Sequence, residues 1–430
     1  MSHGNNGTDA PAVRLESIPP AVTGGAVAMT VVGLGVFWLA LITDPNRAWH
    51  AYLINWLYFT GLAQGAVMLA VVVTITKGMW SRNMRRVALS FASFLPIALL
   101  LLLPMLFVTH RIFPWVLEPV AGKEAWLNVP FLIARQMILL GTLFGLSTLF
   151  ARWALRPDVG LMRDTVDGKL AGIYASLTRN WRGQEAEEAI AHKRLAVLSP
   201  ILGLVYAVAF GVVAFDFIMS LEPHWFSTLI GPFFFMAAFL SGLAATGIAV
   251  RWVSRQVGHE DIIATSQYHD LGKLTFGFVV FWAYLFFSQY IVIWYALLPG
   301  EQSFVIHRFM APFGLIAKLV FLFVFVIPFF GLLGAAAKRN PRILTLFGGL
   351  ILLGLWLERY LLVYPSYHIG TTELPLGWQE VGTALFFAGL LILSVLRFLH
   401  RYPVFQLWQP MSEIELQGVE VEVSESAGAA

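Results

Sequence analysis

The sequence predicts an all-α polytopic membrane protein with ten transmembrane helices. Three observations carry that reading. Hydrophobic residues make up 58% of the chain and charged residues only 12%, where a soluble domain carries about 25% charged residues. Mean hydropathy is +0.74. Apolar runs of about 20 residues recur along the chain, each long enough to cross a bilayer.

The runs fall at residues 21–43, 51–76, 86–109, 128–154, 195–219, 225–250, 274–298, 308–336, 341–363 and 377–399. Lipid offers the backbone no hydrogen-bond partner, so each run is expected to be a helix. Residues 1–20 form a polar tail. They contain no apolar core followed by a cleavage site, so no signal peptide is expected. Of the 28 Lys and Arg residues, 21 lie in or beside the termini and the connections after even-numbered spans. Four lie in connections after odd-numbered spans, and three (Arg135, Lys318, Arg359) lie within spans. This asymmetry predicts that both termini are cytoplasmic.

Several function classes drop out. The chain has no cysteine, which excludes cysteine-ligated iron–sulfur clusters, disulfides and thiol catalysis within it. The basic residues flank apolar runs and form no patch of their own, so no nucleic-acid partner is expected. The ten histidines sit in tails, connections and helix ends, so no membrane-embedded haem and no metal site is expected. No HExxH, CxxC, phosphate-loop or dinucleotide motif occurs. GLGVF near Gly33 and GLLGAAA near Gly331 read as small-residue helix-packing stretches.

An unpaired charge at a helix centre costs about 2.5–3.5 kcal/mol. Charged residues within spans therefore need partners, water or a function. Arg135, in the fourth span, is either a counter-ion for a carboxylate or an electropositive wall for a polar headgroup. The connection at 155–194 contains GQEAEEAIAHKRLA, which reads as a short amphipathic or entry helix. Asp216 lies near the outer end of the fifth span, and Glu222 and His224 follow at the membrane surface. They read either as a helix-ending motif with Asp216 ion-paired, or as protonatable groups on an outward-facing water path. Trp225 is placed to anchor the sixth span in the interface.

At the mouth of the seventh span YHDLGK supplies His269, Asp270 and Lys273, with Asp270 a plausible helix N-cap. Further along, FSQY groups Ser288, Gln289 and Tyr290, which either bond a neighbouring helix or line a polar path. Lys318 is read about ten residues into the eighth span, on the order of 15 Å deep. KRNPR (338–342) reads as the turn into the ninth span. Glu358 and Arg359 in that span lie about 100° apart around the helix, so Glu358 is paired with Lys318 and Arg359 with another carboxylate. The C-tail (400–430) is acidic, and SEIELQGVEVEV alternates like an edge strand but is expected to be extended or disordered.

Four stretches resemble the NrfD-like, or polysulfide-reductase-type, family of integral membrane subunits. They are EPVAGKEAWLNVPFLIARQ (118–136), DFIMSLEPHWFST (216–228), HDLGKLTFGFVVFWAYLFFSQYIVIWYALLPGE (269–301) and LERYLLVYPSYH (357–368). The likeness is greatest to the ActF-type, second such subunit of bacterial alternative complex III. It implies two four-helix bundles, one of spans two to five (residues 51–219) and one of spans six to nine (220–363). The first span (21–50) and the last (364–399) would lie outside them. It also implies a quinol-oxidising complex in the bacterial inner membrane, with quinone or menaquinol as substrate. A sister ten-span subunit would stand beside this chain. Iron–sulfur and multihaem cytochrome c subunits on the outer face would pass electrons to cytochrome c or a terminal oxidase, and this chain would bind no cofactor alone.

Residue by residue, the resemblance puts Asp216, Glu222 and His224 in an outer half-path for protons. His269, Asp270 and Lys273 would open an inner half-path. Ser288, Gln289, Tyr290, Glu358, Arg359 and Tyr364 would line the second bundle, with Lys318 beside them. Asn55, His110 and Arg135 would touch any bound quinone. On this reading Asp216 exchanges a proton with water unless a cation such as Arg135 holds it ionised. The family loop after the seventh span often carries two adjacent acids. Here LPGEQ has only Glu301, which weakens any role for an acid pair there. Two other readings suit buried charges in ten spans: a secondary transporter, or a structural anchor for redox subunits.

Overall fold

The computed structural model describes residues 13–408. Ten helices are long and apolar enough to span a membrane. They are α1 (Pro20–Thr43), α2 (Pro45–Ile75), α3 (Met79–Phe107), α4 (Val129–Thr165), α5 (Gln184–Leu221), α6 (Ile230–Gln256), α7 (Thr265–Ala296), α8 (Gly314–Gly331), α9 (Pro341–Ser366) and α10 (Trp378–Arg401). No strand occurs among the described residues. The protein is therefore all-α and polytopic. Below, the odd face holds the connections after odd-numbered spans, and the even face holds those after even-numbered spans.

The helix starts follow local chemistry. Asp44 accepts the Arg47 N–H at α2 (3.1 Å), and Asn128 accepts the Phe131 N–H at α4 (2.9 Å). Asn340 accepts the Arg342 N–H at α9 (2.9 Å), inside the KRNPR turn. Each contact satisfies a donor that the helix leaves free.

α2 is the central helix. Every residue from His50 to Val71 is buried, and it packs on α1, α5, α6, α9 and α10. Its closest seam is with α6, where Gly65 and Gly242 meet backbone to backbone. Small residues let apolar helices approach this far in lipid, where packing replaces the hydrophobic drive. α6 in turn touches α5, α7 and α9. The most extensive pairing joins α1 to α10, through Gly33, Gly382 and Gly389, whose missing side chains are filled by the opposite helix. Beside that pair the N-terminal segment is stitched to the chain's end. Leu15 N–H donates to Leu399 O (3.1 Å), and Val404 N–H donates to Val13 O (2.9 Å).

Several sequence expectations are corrected here. α5 starts at Gln184 and not near residue 195, so GQEAEEAIAHKRLA is the entry helix of the fifth span, one of the two readings it allowed. α7 starts at Thr265, so Asp270 sits inside the helix and does not cap it. The Gln267 side chain instead accepts the free Ala264 N–H (3.1 Å). α6 starts at Ile230, because Trp225 is buried and stacks on Phe304 (3.6 Å between ring centres) rather than lying in the interface. A separate helix, Pro299–Phe309, precedes α8, which begins only at Gly314. Lys318 is therefore about one turn into its span, and it is exposed. The strand-like SEIELQGVEVEV lies outside the described residues.

Candidate functional site

The odd face carries four buried polar clusters. In the first, Asp216 on α5 meets Arg135 on α4. Arg135 Nε donates to Asp216 Oδ2 (2.6 Å) and Nη2 to Oδ1 (2.6 Å). Gln136 Nε2 and Trp126 Nε1 also donate to this carboxylate. Arg135 further donates to Trp126 O (2.8 Å) and lies over the Trp126 ring (4.2 Å). Asp216 is wholly buried. With four donors and a bidentate partner, its charge is fully matched.

The second cluster surrounds Arg308, on the short helix Pro299–Phe309. It donates to Glu222 Oε1 (2.8 Å), Phe304 O (2.9 Å), Leu362 O (2.8 Å) and Ser366 Oγ (2.7 Å). Ser366 Oγ donates in turn to Glu222 Oε1 (2.7 Å). The guanidinium rests on the Phe304 ring (3.3 Å), on the opposite side of a stack whose other member is Trp225. Burial pulls the Arg308 pKa down to about 10, against the opposing pull of Glu222. It therefore stays charged at neutral pH.

The third cluster lies on α9. Glu358 and Arg359 pair with each other (3.5 Å), and not with Lys318 or a distant carboxylate as the sequence suggested. Rotating long side chains close the angular gap between neighbouring positions. Arg359 also donates to Phe234 O (3.1 Å) and covers that ring (4.1 Å). One Glu358 oxygen, Oε2, is buried with no hydrogen-bond partner. Glu358 lines a cavity of about 70 Å³ together with Gln289, Tyr290, Trp282 and Arg308. That volume holds one or two waters.

The fourth cluster ties α2, α9 and α10 together. Arg47 forks onto Glu380 (2.8 and 3.0 Å), the Tyr364 hydroxyl donates to Glu380 Oε1, and Gly377 N–H donates to Glu380 Oε2 (2.6 Å). Asn55 Nδ2 donates to Glu380 O (3.2 Å), and Trp356 Nε1 donates to Asn55 Oδ1 (2.8 Å). His50 stacks on Tyr367 (3.5 Å), and His368 stacks on Tyr364 (5.4 Å).

The structure thus regroups the residues picked out in the sequence. Gln289, Tyr290 and Glu358 line one small cavity with Arg308, and Glu222 is tied to it only through its ion pair with Arg308. Asp216 stands apart from Glu222 in its own closed cluster, and His224 is exposed. Asn55, Arg135 and His110 do not converge. Asn55 and Arg135 are saturated by protein partners, and His110 is exposed. Tyr364 belongs to the Glu380 cluster, not to the Glu358 cavity. Ser288 is half-buried beside Gln289.

At the even face Asp270 and Lys273 pair with each other (2.6 Å), next to His269. They are separated from Gln289 by about 16–19 residues of α7, roughly 25 Å. An apolar groove of about 680 Å³, bounded by Tyr58, Trp356 and α10, offers almost no polar atoms. It suits a hydrocarbon tail and not a headgroup. Among the described residues no three metal-ligating side chains converge.

Arg308, Glu380 and Arg47 are missing from the sequence-derived set. Arg308 stands at the edge of the expected eighth span (308–336) and counts with the connection before it. Glu380, three residues into the last span, could have been found by asking which acids fall inside apolar runs.

No curated protein matches the chain. The profile of the family described as "Polysulphide reductase, NrfD" matches residues 41–370. That stretch takes in α2 to α9 and three of the four clusters whole, and of the fourth it lacks only Glu380 on α10 and Gly377 just before it. The chain belongs to the NrfD polysulphide reductase family of integral membrane proteins.

Proposed function

We propose that the chain is a proton-handling membrane subunit of a quinol-oxidising respiratory complex of the alternative complex III type. Family members pair with redox subunits in membrane complexes. The electrons would run through iron–sulfur and haem c subunits, with a sister ten-span subunit alongside. Both termini would be cytoplasmic, which puts the odd face outside.

One observation carries the reading. Glu358 is buried in a span, keeps one oxygen unpartnered and borders a water-sized cavity. A carboxyl group in that position can take up or release a proton through water. Arg308 lines the same cavity and holds Glu222, which is partly exposed at the odd face. Protons would pass between Glu358 and the surface beside this pair. Quinone contact by this chain has less support, because Asn55 and Arg135 are already occupied.

The test is Glu358→Gln in the intact complex, reconstituted in vesicles. Proton release per electron should fall while the complex still assembles. Unchanged stoichiometry would remove Glu358 from the path. The structural-anchor reading is favoured by the closed Arg135–Asp216 cluster. It would hold if Glu358→Gln and Glu222→Gln together left assembly and coupling normal.

A further inference from the structure

We infer that the groove between α3, α4 and α10 at the even face is a binding site for an anionic diacyl phospholipid. The groove has a volume of about 590 Å³. Its rim carries Arg152 from α4 and Arg397 and Arg401 from α10. Arg397 and Arg401 are one turn apart and so share a helix face. No acidic residue lines the groove, and none of the three forms an ion pair among the described residues. Of the hydroxyl groups lining it, those of Ser93, Thr148 and Ser394 each donate to a carbonyl of their own helical turn. The three guanidinium groups supply the charged donors of the site, with the Tyr402 hydroxyl beside them.

Below this rim the walls turn apolar, with Leu390 and Leu393 on α10 and Ile97 on α3. From Arg401 to Leu390 the helix rises about 16 Å, close to half of the ~30 Å hydrocarbon core. One end of the groove thus matches a phosphate headgroup and the rest matches acyl chains. Charge complementarity selects an anionic lipid over a zwitterionic one, because basic pockets between spanning helices bind anionic headgroups. A free phosphate would leave the apolar part of the groove unfilled.

The experiment uses the full chain in nanodiscs of phosphatidylcholine, with and without phosphatidylglycerol. Native mass spectrometry then reads which lipid stays bound after ejection. The wild-type chain should retain phosphatidylglycerol in preference to phosphatidylcholine. R152Q/R397Q/R401Q should lose that preference, with retention falling roughly fivefold for each arginine removed. The variant R152K/R397K/R401K should keep most of it, and should do so even where the glutamine variant is poorly folded. Loss of preference in the folded lysine variant, or equal retention of both lipids by wild type, would overturn the inference. So would displacement of the lipid by inorganic phosphate, or a co-purifying protein that shields Arg152.

Discussion

Arg135 and Asp216 face each other across α4 and α5 in a two-pronged ion pair, both bonds 2.6 Å long. Removing one partner strands a buried charge. Arg135→Gln should therefore cost about 3–5 kcal/mol, read as a large fall in unfolding temperature or in yield of the detergent-solubilised protein. Arg135→Gln combined with Asp216→Asn should recover part of that loss. If the double variant were as unstable as the single one, the pair would not be the source of the effect. This closed geometry favours a stabilising role for Asp216 over a proton-carrying one.

Arg308 makes four hydrogen bonds from two nitrogens, and lysine cannot reproduce that fork. Arg308→Lys should therefore destabilise the odd face almost as much as Arg308→Ala, by about 2–4 kcal/mol in either case. Limited proteolysis of the 299–309 segment would report it. Rescue by lysine would show that charge alone suffices.

Gly242 lies against the backbone of Gly65 and Ala66, with no room for a Cβ. Gly242→Ala should cost about 1–3 kcal/mol by forcing α2 and α6 apart. Gly141, whose Cβ would meet nothing within 4 Å, is the control, and Gly141→Ala should be neutral. Thermal unfolding monitored by size-exclusion chromatography separates the two.

His368, on the odd face beyond α9, has a pKa lowered from the ordinary imidazole value of 6.5. Burial is the main cause, and Arg47 adds to it. Asp44 and Glu380 oppose the shift, while Tyr364 and His50 pack on the ring. The unfolded chain protonates this imidazole near pH 6.5, and the folded protein does so only at lower pH. Stability from this group is therefore full above about 6.5 and is lost as pH falls below it. Unfolding temperature measured against pH should decline on the acid side, and His368→Phe should flatten that decline. An identical acid limb in the variant would exclude His368 as its source.

The ten spans were legible because lipid imposes one length and one composition on every crossing segment. The pairing of Arg135 with Asp216 was also within reach, since both were among the few charges inside apolar runs. Arg308 was not, because a cation at the very edge of an apolar run reads as the flank of a span. Its burial depends on the 299–309 helix packing Phe304 on Trp225 and bringing Arg308 to Glu222, Leu362 and Ser366. The eighth span reads as beginning at residue 308 because only residues 310–313 separate the short helix from α8 and they carry no charge. Glu380 escaped because an acid in the first turn of a helix is ordinary. Its burial depends on Arg47, more than three hundred residues earlier. The partition of polar groups between the Glu358 cavity and the Asp216 cluster depends on which helix faces meet, and apolar runs without a polar side do not encode that.

The contact between α1 and α10 sets an order of events during synthesis. α1 is made before the nine other spans described, yet the surface it buries belongs mainly to α10. At ~5–20 residues per second the ribosome takes on the order of tens of seconds to deliver α10. During that interval α1 must wait in the bilayer with lipid or a chaperone against Gly33. Docking of α10 then brings residues 13–15 beside residues 399–404, so this part of the fold waits for the tenth span.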